Sequence, residues 1–91
     1  MRIAFDPDKR TITLAERGLD MARAGEIFEG ETLTFPDDRV DYGELRYITV
    51  GFLDGRMVVA VWTQRTQTRR MISLRKANER EQKFYGSRLE S

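Results

Sequence analysis

The residues of this chain best suited to chemistry lie in the stretch 69–76, which has the sequence RRMISLRK. It combines four Arg and Lys side chains with the hydroxyl of Ser73. Arg75 and Lys76 follow a predicted strand and precede a predicted helix. Fixed cations, a hydroxyl and free backbone N–H groups therefore meet at one junction, an arrangement that suits a phosphate. The alternative is a strand end flanked by charges that only keep the surface soluble.

The period-two alternation of a strand assigns these side chains to faces of a sheet. If Met71 faces the core, Ser73 lies on the same side. The opposite side then takes Arg70, Ile72 and Leu74. Met71 itself is most simply a packing residue, as are Met21, Met57 and Trp62.

A second candidate site is the segment Glu44-Leu45-Arg46-Tyr47. Arg46 enters a predicted central strand, so its guanidinium meets either a ligand over the sheet or a carboxylate such as that of Glu44. Tyr85 lies on the predicted last helix. It presents a phenol to the same face or, with Phe84, belongs to the apolar stripe of that helix.

The composition excludes several kinds of active site. The chain of 91 residues contains neither cysteine nor histidine, so disulfides, thiolate metal sites and triads built on histidine are impossible. A zinc site would depend on carboxylates alone, and we expect no metal and no cofactor. The glycines form neither a dinucleotide-binding fingerprint nor a Walker-type phosphate loop.

Charge is divided unequally along the chain, although the net charge is only +1. Residues 1–45 carry six Lys and Arg against eleven Asp and Glu, whereas residues 46–91 carry ten against four. Eight of the ten late cations are Arg, whose planar fork binds phosphates and stacks on bases. The second half therefore points weakly to nucleic acid, the alternative being a solvated charged surface.

The first part of the chain predicts two helices after a short N-terminal strand. A helix over 7–17 is capped by Asp6 and ended by Gly18, a residue that tolerates left-handed backbone. A second, shorter helix begins after Asp20 and ends at Gly30. The two helices are expected to form a hairpin.

The period of the apolar residues then changes to two, which indicates strands. Asp54-Gly55 is a turn signal, and 57–62 is continuously apolar, as in a central strand covered on both faces. Polar residues at 64–68 predict a loop. Asn78 and Glu81 have the spacing of a capping box, so the last helix starts there. Predicted strands lie at 32–35, 47–53, 57–62 and 69–74.

The resulting order is β-α-α-β-β-β-β-α in one domain over residues 1–91. Consecutive strands joined by short turns predict an α+β fold, with an antiparallel sheet of four to five strands, an N-terminal helical hairpin and a C-terminal helix. No apolar run is long enough to span a membrane, and the N-terminus lacks the apolar stretch of a signal peptide. We therefore expect a cytoplasmic protein with no membrane partner.

From about Phe5 to Tyr85 the chain resembles the BrnT-type toxins, ribonucleases of type II toxin–antitoxin systems within the larger RelE-like group. The matching blocks follow one another in the order typical of the family. They are Phe5-Asp6-Pro7 with Lys9, Gly18-Leu19, Ala24 to Phe28, Leu33-Thr34-Phe35 before Pro36-Asp37, Glu44-x-Arg46-Tyr47-Ile48-Thr49-Val50-Gly51, and Arg70-Met71-Ile72-Ser73-Leu74-Arg75-Lys76-Ala77 with Glu79-Arg80-Glu81 and Tyr85 behind it. The chain departs from the family in the first helix, where Thr13 and Glu16-Arg17 replace the usual Asn and Lys-His.

The resemblance implies a RelE-like fold and RNA as the substrate, with no metal required. The ribose 2′-hydroxyl attacks the adjacent phosphate, which needs a base, an acid for the leaving 5′-oxygen and cations for the phosphorane charge. Without histidine, the base is a Lys, a Glu or a Tyr. We predict Lys76 or Lys9, because repulsion from Arg75 favours the neutral amine of Lys76. Phosphate contacts are assigned to Arg46, Arg70 and Arg75, and orientation of the backbone or a phosphate oxygen to Ser73.

The resemblance also implies a protein partner, a BrnA-like antitoxin with a ribbon-helix-helix DNA-binding part. Two toxins and two antitoxins then assemble, and operator DNA is bound only through the antitoxin. An alternative function follows from the missing Lys-His pair. In that alternative, the chain is a degenerate toxin that no longer cleaves RNA, binds the antitoxin and helps it to repress their shared operon.

Overall fold

The computed structural model describes residues 1–89 and places helices against both faces of a five-stranded sheet. This arrangement confirms the predicted α+β class. The strands are β1 (Arg2–Ala4), β2 (Leu33–Pro36), β3 (Tyr47–Leu53), β4 (Arg56–Arg65) and β5 (Thr68–Lys76). The α-helices are α1 (Pro7–Arg17), α2 (Gly25–Glu29) and α3 (Glu79–Gly86), and a 3-10 helix at Met21–Arg23 precedes α2. Within residues 1–89, none of the helices is long and apolar enough to cross a membrane.

The sheet is mixed, so the predicted purely antiparallel sheet is wrong. The strand order is β1-β5-β4-β3-β2. Strands β2, β3 and β4 each pair antiparallel with the next strand along the chain. Strand β1 instead pairs parallel with β5, with Arg2 opposite Thr68 and Ala4 opposite Arg70. The chain leaves β1 through the helices, enters the sheet at the far edge and returns to β1. This pairing depends on a contact between distant segments, which local turn signals do not reveal.

The predicted element order also needs correction, because the second helix is divided. A 3-10 helix capped by Asp20 comes first, with the Ala24 N–H bonded to the Met21 carbonyl at 3.1 Å, and α2 follows from Gly25. The predicted first helix, in contrast, is confirmed at both ends. Asp6 accepts a hydrogen bond from the Asp8 N–H at 2.8 Å, and Gly18 ends α1 at φ 69°.

Two core clusters lie on opposite faces of the sheet. The back face, which carries α1, the 3-10 helix and α2, buries Leu19, Met21, Ala24, Ile27, Leu53, Val58, Ala60, Trp62, Met71 and Leu74. The front face, which carries α3, buries Val50, Met57, Val59, Ala77 and Leu89. Strand β4 contributes to both clusters, and this confirms the prediction of a central strand covered on both faces. The polar loop predicted at 64–68 is shorter than expected, because β4 extends to Arg65 and β5 begins at Thr68.

A β-bulge at Ile72 reverses the predicted faces of β5. Trp62 on β4 is paired with Met71. The residue before it, Val61, is paired with Ser73, so Ile72 has no partner of its own and is the extra residue. An extra residue shifts the alternation by one position. As a result, Leu74 joins Met71 in the back-face core, and Ser73 faces the opposite side. The prediction that Ser73 shares the side of Met71, with Leu74 opposite, is therefore wrong.

Candidate functional site

A cleft of about 300 Å³ lies on the front face between the sheet, α3 and the segment after β2. Its floor is apolar and comes from β3 and β4, whereas its rim is polar and charged. We call it the front cleft. It is lined by Phe35, Arg39, Ile48, Val50, Val59, Val61, Ser73, Arg75, Glu81 and Tyr85.

Arg75 and Glu81 form a bidentate ion pair at one wall of the front cleft. Both guanidinium terminal nitrogens of Arg75 donate to the Glu81 carboxylate, each at 2.7 Å. The pair forms because only two residues separate β5 from α3, the second of them the Asn78 of the capping box, which places Glu81 over the end of the strand. Hydrogen bonding from Arg75 lowers the pKa of Glu81 to about 2, and Glu81 in turn raises the pKa of Arg75. Both groups are therefore ionised at neutral pH.

Arg39 reaches the front cleft from the segment that follows β2. The Asp37 N–H donates to the Arg46 carbonyl at 2.8 Å and continues the β2–β3 pairing for one residue. The buried Asp37 carboxylate then accepts two hydrogen bonds from the Arg39 guanidinium, at 2.7 and 2.8 Å, and its pKa falls to about 2. Arg39 is therefore held in place by a charge that its own segment supplies.

Ser73 and Tyr85 complete the polar rim. Ser73, which pairs with Val61 of β4, lines the cleft because of the bulge at Ile72. The ring of Tyr85 is stacked on that of Phe35, with centroids 6.2 Å apart and planes inclined by 18°. Both interpretations of Tyr85 hold in part, because its ring packs against the front-face core while the residue also lines the cleft. Phe84, its neighbour on α3, is exposed.

Further cations extend the front face beyond the cleft. Arg70 pairs across the sheet with Thr63, which follows the cleft residue Val61 by two positions. Within residues 1–89, Arg70 makes no ion pair. Arg46 and Arg65 both bond to Glu44, at 3.1 and 3.0 Å. Of the two interpretations of Arg46, the structure shows the carboxylate partner, and the guanidinium also lies 4.0 Å from the centroid of the Tyr42 ring.

The structure does not bring the two predicted lysines into the front cleft. Lys76 follows Arg75 on β5 and lines a different depression, of about 640 Å³, near Arg56 at the β3–β4 turn. Lys9 lies on α1, on the other side of β5, where its ammonium is 3.5 Å from the Ile72 carbonyl. The predicted junction of Arg75 and Lys76 is thus divided between two surfaces, because adjacent strand residues point in opposite directions.

Arg39 and Glu81 belong to this site, although the sequence did not indicate them as members of it. The capping-box spacing did place Glu81 at the start of α3, but a local motif does not reveal that the same carboxylate reaches back to Arg75. Arg39 is far from β5 in sequence, and it comes close to Arg75 only because the chain after β2 folds back over the front face. Glu81 had a recognisable signal in the sequence, whereas Arg39 had none.

Chemically, the front cleft presents two guanidinium groups, a hydroxyl, a phenol and a carboxylate over an apolar floor. Guanidinium groups bind phosphate oxygens in bidentate fashion and stabilise negative charge that develops during a reaction. The phenol and the carboxylate are groups that can transfer protons. The apolar floor offers a surface for a flat ring, such as a nucleobase.

A family model described as ribonuclease toxin, BrnT, of type II toxin–antitoxin system matches residues 5–81. This span covers most of the chain and includes every rim residue of the front cleft except Tyr85. No curated protein matches the chain.

Proposed function

Because the chain belongs to the BrnT family of ribonuclease toxins of type II toxin–antitoxin systems, we propose that it cleaves RNA in the front cleft, without a metal, in the cytoplasm. The observation that supports this proposal is the convergence of Arg39, Ser73, Arg75, Glu81 and Tyr85 on one cleft. Family membership also implies that an antitoxin is its partner. We also propose that this antitoxin is of the ribbon-helix-helix type, that two toxins assemble with two antitoxins, and that the complex binds operator DNA through the antitoxin.

The proposed reaction is an attack by the ribose 2′-oxygen on the adjacent phosphorus. The bond to the 5′-oxygen breaks, which yields a 2′,3′-cyclic phosphate and a free 5′-hydroxyl. Arg75 and Arg39 hold the non-bridging oxygens and stabilise the extra charge of the transition state. Ser73 donates to one of those oxygens, and Arg70 holds a neighbouring phosphate along the strand of RNA.

Two proton transfers accompany this step. Tyr85 donates its phenolic proton to the leaving 5′-oxygen, and Glu81 accepts the proton of the 2′-hydroxyl. In the free protein, Arg75 makes Glu81 a weak base, because the ion pair lowers its pKa to about 2. A phosphate bound to Arg75 competes for the guanidinium and so raises the basicity of Glu81. The base is therefore strengthened by the substrate that it acts on.

These assignments replace the predicted base Lys76 or Lys9. Neither ammonium lines the front cleft, and a base must lie within hydrogen-bonding reach of the proton that it removes.

The test uses purified protein and an RNA oligonucleotide that contains a cleavage site. We expect products with 2′,3′-cyclic phosphate ends, formed equally well in the presence of EDTA. The matched control carries a single 2′-deoxyribose at the cleaved nucleotide and should remain intact, because it lacks the nucleophile. Cleavage of the deoxy-substituted control, or a requirement for divalent metal, would contradict the proposal.

One observation favours the second candidate function, an antitoxin-binding module without activity. The two guanidinium groups in the cleft are already neutralised, Arg39 by Asp37 and Arg75 by Glu81. Expression without the antitoxin separates the two functions. Growth arrest with loss of intact RNA supports the ribonuclease, whereas normal growth together with antitoxin-dependent repression of the operon supports the module.

Glu16 and Arg17, where the chain departs from the family, do not line the front cleft. Arg17 donates to the Leu74 carbonyl at 2.9 Å and covers the edge of β5 on the back-face side. Both residues line a smaller pocket between α1 and β5, together with Lys9 and Ser73. Because Ser73 also lines the front cleft, the departures lie beside the proposed site and not within it.

A further inference from the structure

The guanidinium of Arg69 is fixed on an aromatic surface of the back face. Its guanidinium carbon lies 3.9 Å from the centroid of the Phe28 ring and 5.1 Å from that of Trp62. Among the described residues, its buried Nε has no hydrogen-bond partner. Within residues 1–89 it makes no ion pair, in contrast to Arg39, Arg46, Arg65 and Arg75 on the front face.

The aromatic surface beneath Arg69 is itself rigid. The Trp62 indole N–H donates to the buried Thr49 hydroxyl at 2.8 Å. The Trp62 ring packs against Tyr47, with centroids 4.9 Å apart, and meets Phe28 edge to face at 5.7 Å. A guanidinium held on such a surface loses little side-chain entropy when a ligand binds it.

A partly desolvated cation without a counter-ion is costly in a folded protein. The stacking on Phe28 and Trp62 offsets part of this cost, and desolvation also lowers the pKa of Arg69. A carboxylate that approaches Arg69 therefore meets a charge with little water to displace. Arginines in such partly buried, aromatic settings are typical of the residues that dominate protein–protein affinity.

We propose that Arg69 binds a carboxylate side chain of the antitoxin. This inference rests on the toxin–antitoxin part of the proposed function. The contact lies away from the front cleft, because Arg69 and Arg70 are adjacent on β5 and therefore face opposite sides of the sheet. The antitoxin thus holds the toxin from the back face, at a point that RNA does not occupy.

The charge around this site favours a protein carboxylate over RNA. The helical segment over residues 6–31, which covers the back face, carries seven Asp and Glu against four Lys and Arg. A polyanion would be repelled by this surface, whereas a protein segment can place a single carboxylate on Arg69 and cations toward the acidic helices. Gln64, opposite Arg69 on β4, lines an open depression of about 580 Å³ with room for such a segment.

The experiment measures the dissociation constant of the chain for the antitoxin encoded beside it, by titration calorimetry. We expect Arg69→Gln to weaken binding by about tenfold or more, as is typical when a central Arg contact is lost. Arg56→Gln is the matched control, since Arg56 is an exposed cation at the opposite end of the sheet and gives the same change in net charge. The control should bind within about twofold of the wild-type protein.

Arg69→Lys keeps the positive charge but removes the planar fork, so it should also weaken binding. This variant decides the question if Arg69→Gln fails to fold. RNA cleavage by the free Arg69 variants should equal that of the wild-type chain. If the wild-type chain does not cleave RNA, the proposed function is refuted, but the binding constants of the Arg69 variants still test the antitoxin contact. Three results would each overturn the inference. A folded Arg69 variant could bind the antitoxin within twofold of wild type, the variants could lose RNA cleavage alone, or the wild-type chain could form no complex with the antitoxin.

Discussion

Arg75 is held by both carboxylate oxygens of Glu81, a residue that also caps α3. One Glu81 oxygen accepts hydrogen bonds from Arg75 at 2.7 Å and from the Asn78 N–H at 2.9 Å. The end of the last strand, the start of the last helix and one wall of the front cleft are therefore fixed by a single carboxylate. A change at Glu81 should affect both stability and activity.

The first prediction compares Arg75 with its neighbour Lys76. Arg75→Ala removes a group that stabilises transition-state charge, which is worth about 3 kcal/mol, or roughly a hundredfold in kcat/KM. Lys76→Ala removes an exposed cation outside the front cleft and should change kcat/KM by less than about twofold. Cleavage of an RNA oligonucleotide measures both variants. Equal activity of the two would show that the cleft is not the reaction site.

The second prediction concerns the pH dependence of stability. In the fold, the Glu81 pKa is about 2 against an ordinary value of 4.5, so the unfolded chain binds a proton more readily than the folded one. The ion pair with Arg75 therefore stabilises the fold above about pH 4.5, and this contribution is lost as the pH falls toward 2. Because Arg75 is 41 % exposed and Glu81 21 %, solvent screening reduces the contribution to about 1 kcal/mol.

Urea unfolding of the wild-type chain and of Glu81→Gln at a series of pH values measures this effect. Gln preserves the acceptor for the Asn78 N–H, so the two proteins should differ at pH 6 and converge near pH 2. Asn78→Ala is the control for the cap, and its deficit should be nearly independent of pH. A constant difference between wild type and Glu81→Gln would contradict the assigned pKa.

The third prediction concerns the start of α1. Asp6→Ala removes the acceptor of the Asp8 N–H and should lower the free energy of unfolding by roughly 1 kcal/mol. Asp8→Ala is the matched control, since the Asp8 side chain lies in the first turn of the helix and contributes through the helix dipole alone, a few tenths of a kcal/mol. Unfolding in urea compares the two. An Asp6→Ala midpoint equal to that of Asp8→Ala would exclude a capping role.

The fourth prediction concerns the support of Trp62. Thr49 is fully buried, and its hydroxyl accepts the indole N–H of Trp62 at 2.8 Å. Thr49→Val keeps the volume but leaves that N–H unpaired in the core, at a cost of about 1–3 kcal/mol. Thr34 is exposed and bonds to the same hydroxyl, so Thr34→Val leaves the indole N–H paired and should cost less than Thr49→Val. Thermal unfolding would show similar midpoints for both variants if the Trp62 contact were unimportant.

Local signals in the sequence predicted the elements of this fold well. Helix α1 begins after Asp6 and ends at Gly18, and α3 begins after Asn78, in each case through contacts with neighbouring residues. The unbroken apolar run in β4 is sufficient to identify the central strand. Such features depend on residues a few positions apart, and the sequence therefore contains all the information needed to recognise them.

The features that the sequence did not predict all depend on distant segments. The parallel pairing of β1 with β5 and the approach of Arg39 to Arg75 depend on the path of the whole chain. The bulge at Ile72 depends on how β5 fits against β4, and Ile72 itself is an ordinary strand residue. Of the predicted site residues, Arg75, Ser73 and Tyr85 line the front cleft. The position of Lys76 depends on the register of β5, and that of Lys9 depends on the packing of α1 against β5.

The bulge at Ile72 has a consequence for how this strand can evolve. It lets β5 contribute Met71 and Leu74 to the back-face core while Ser73 and Arg75 face the front cleft. Substitutions at the first pair are limited by volume, and those at the second pair are limited by chemistry, so the two sets can drift independently. The length of the strand shares this freedom at one position only. Deleting Ile72 would leave Met71 opposite Trp62 and Ser73 opposite Val61, so the bulge would be lost while both faces keep their residues.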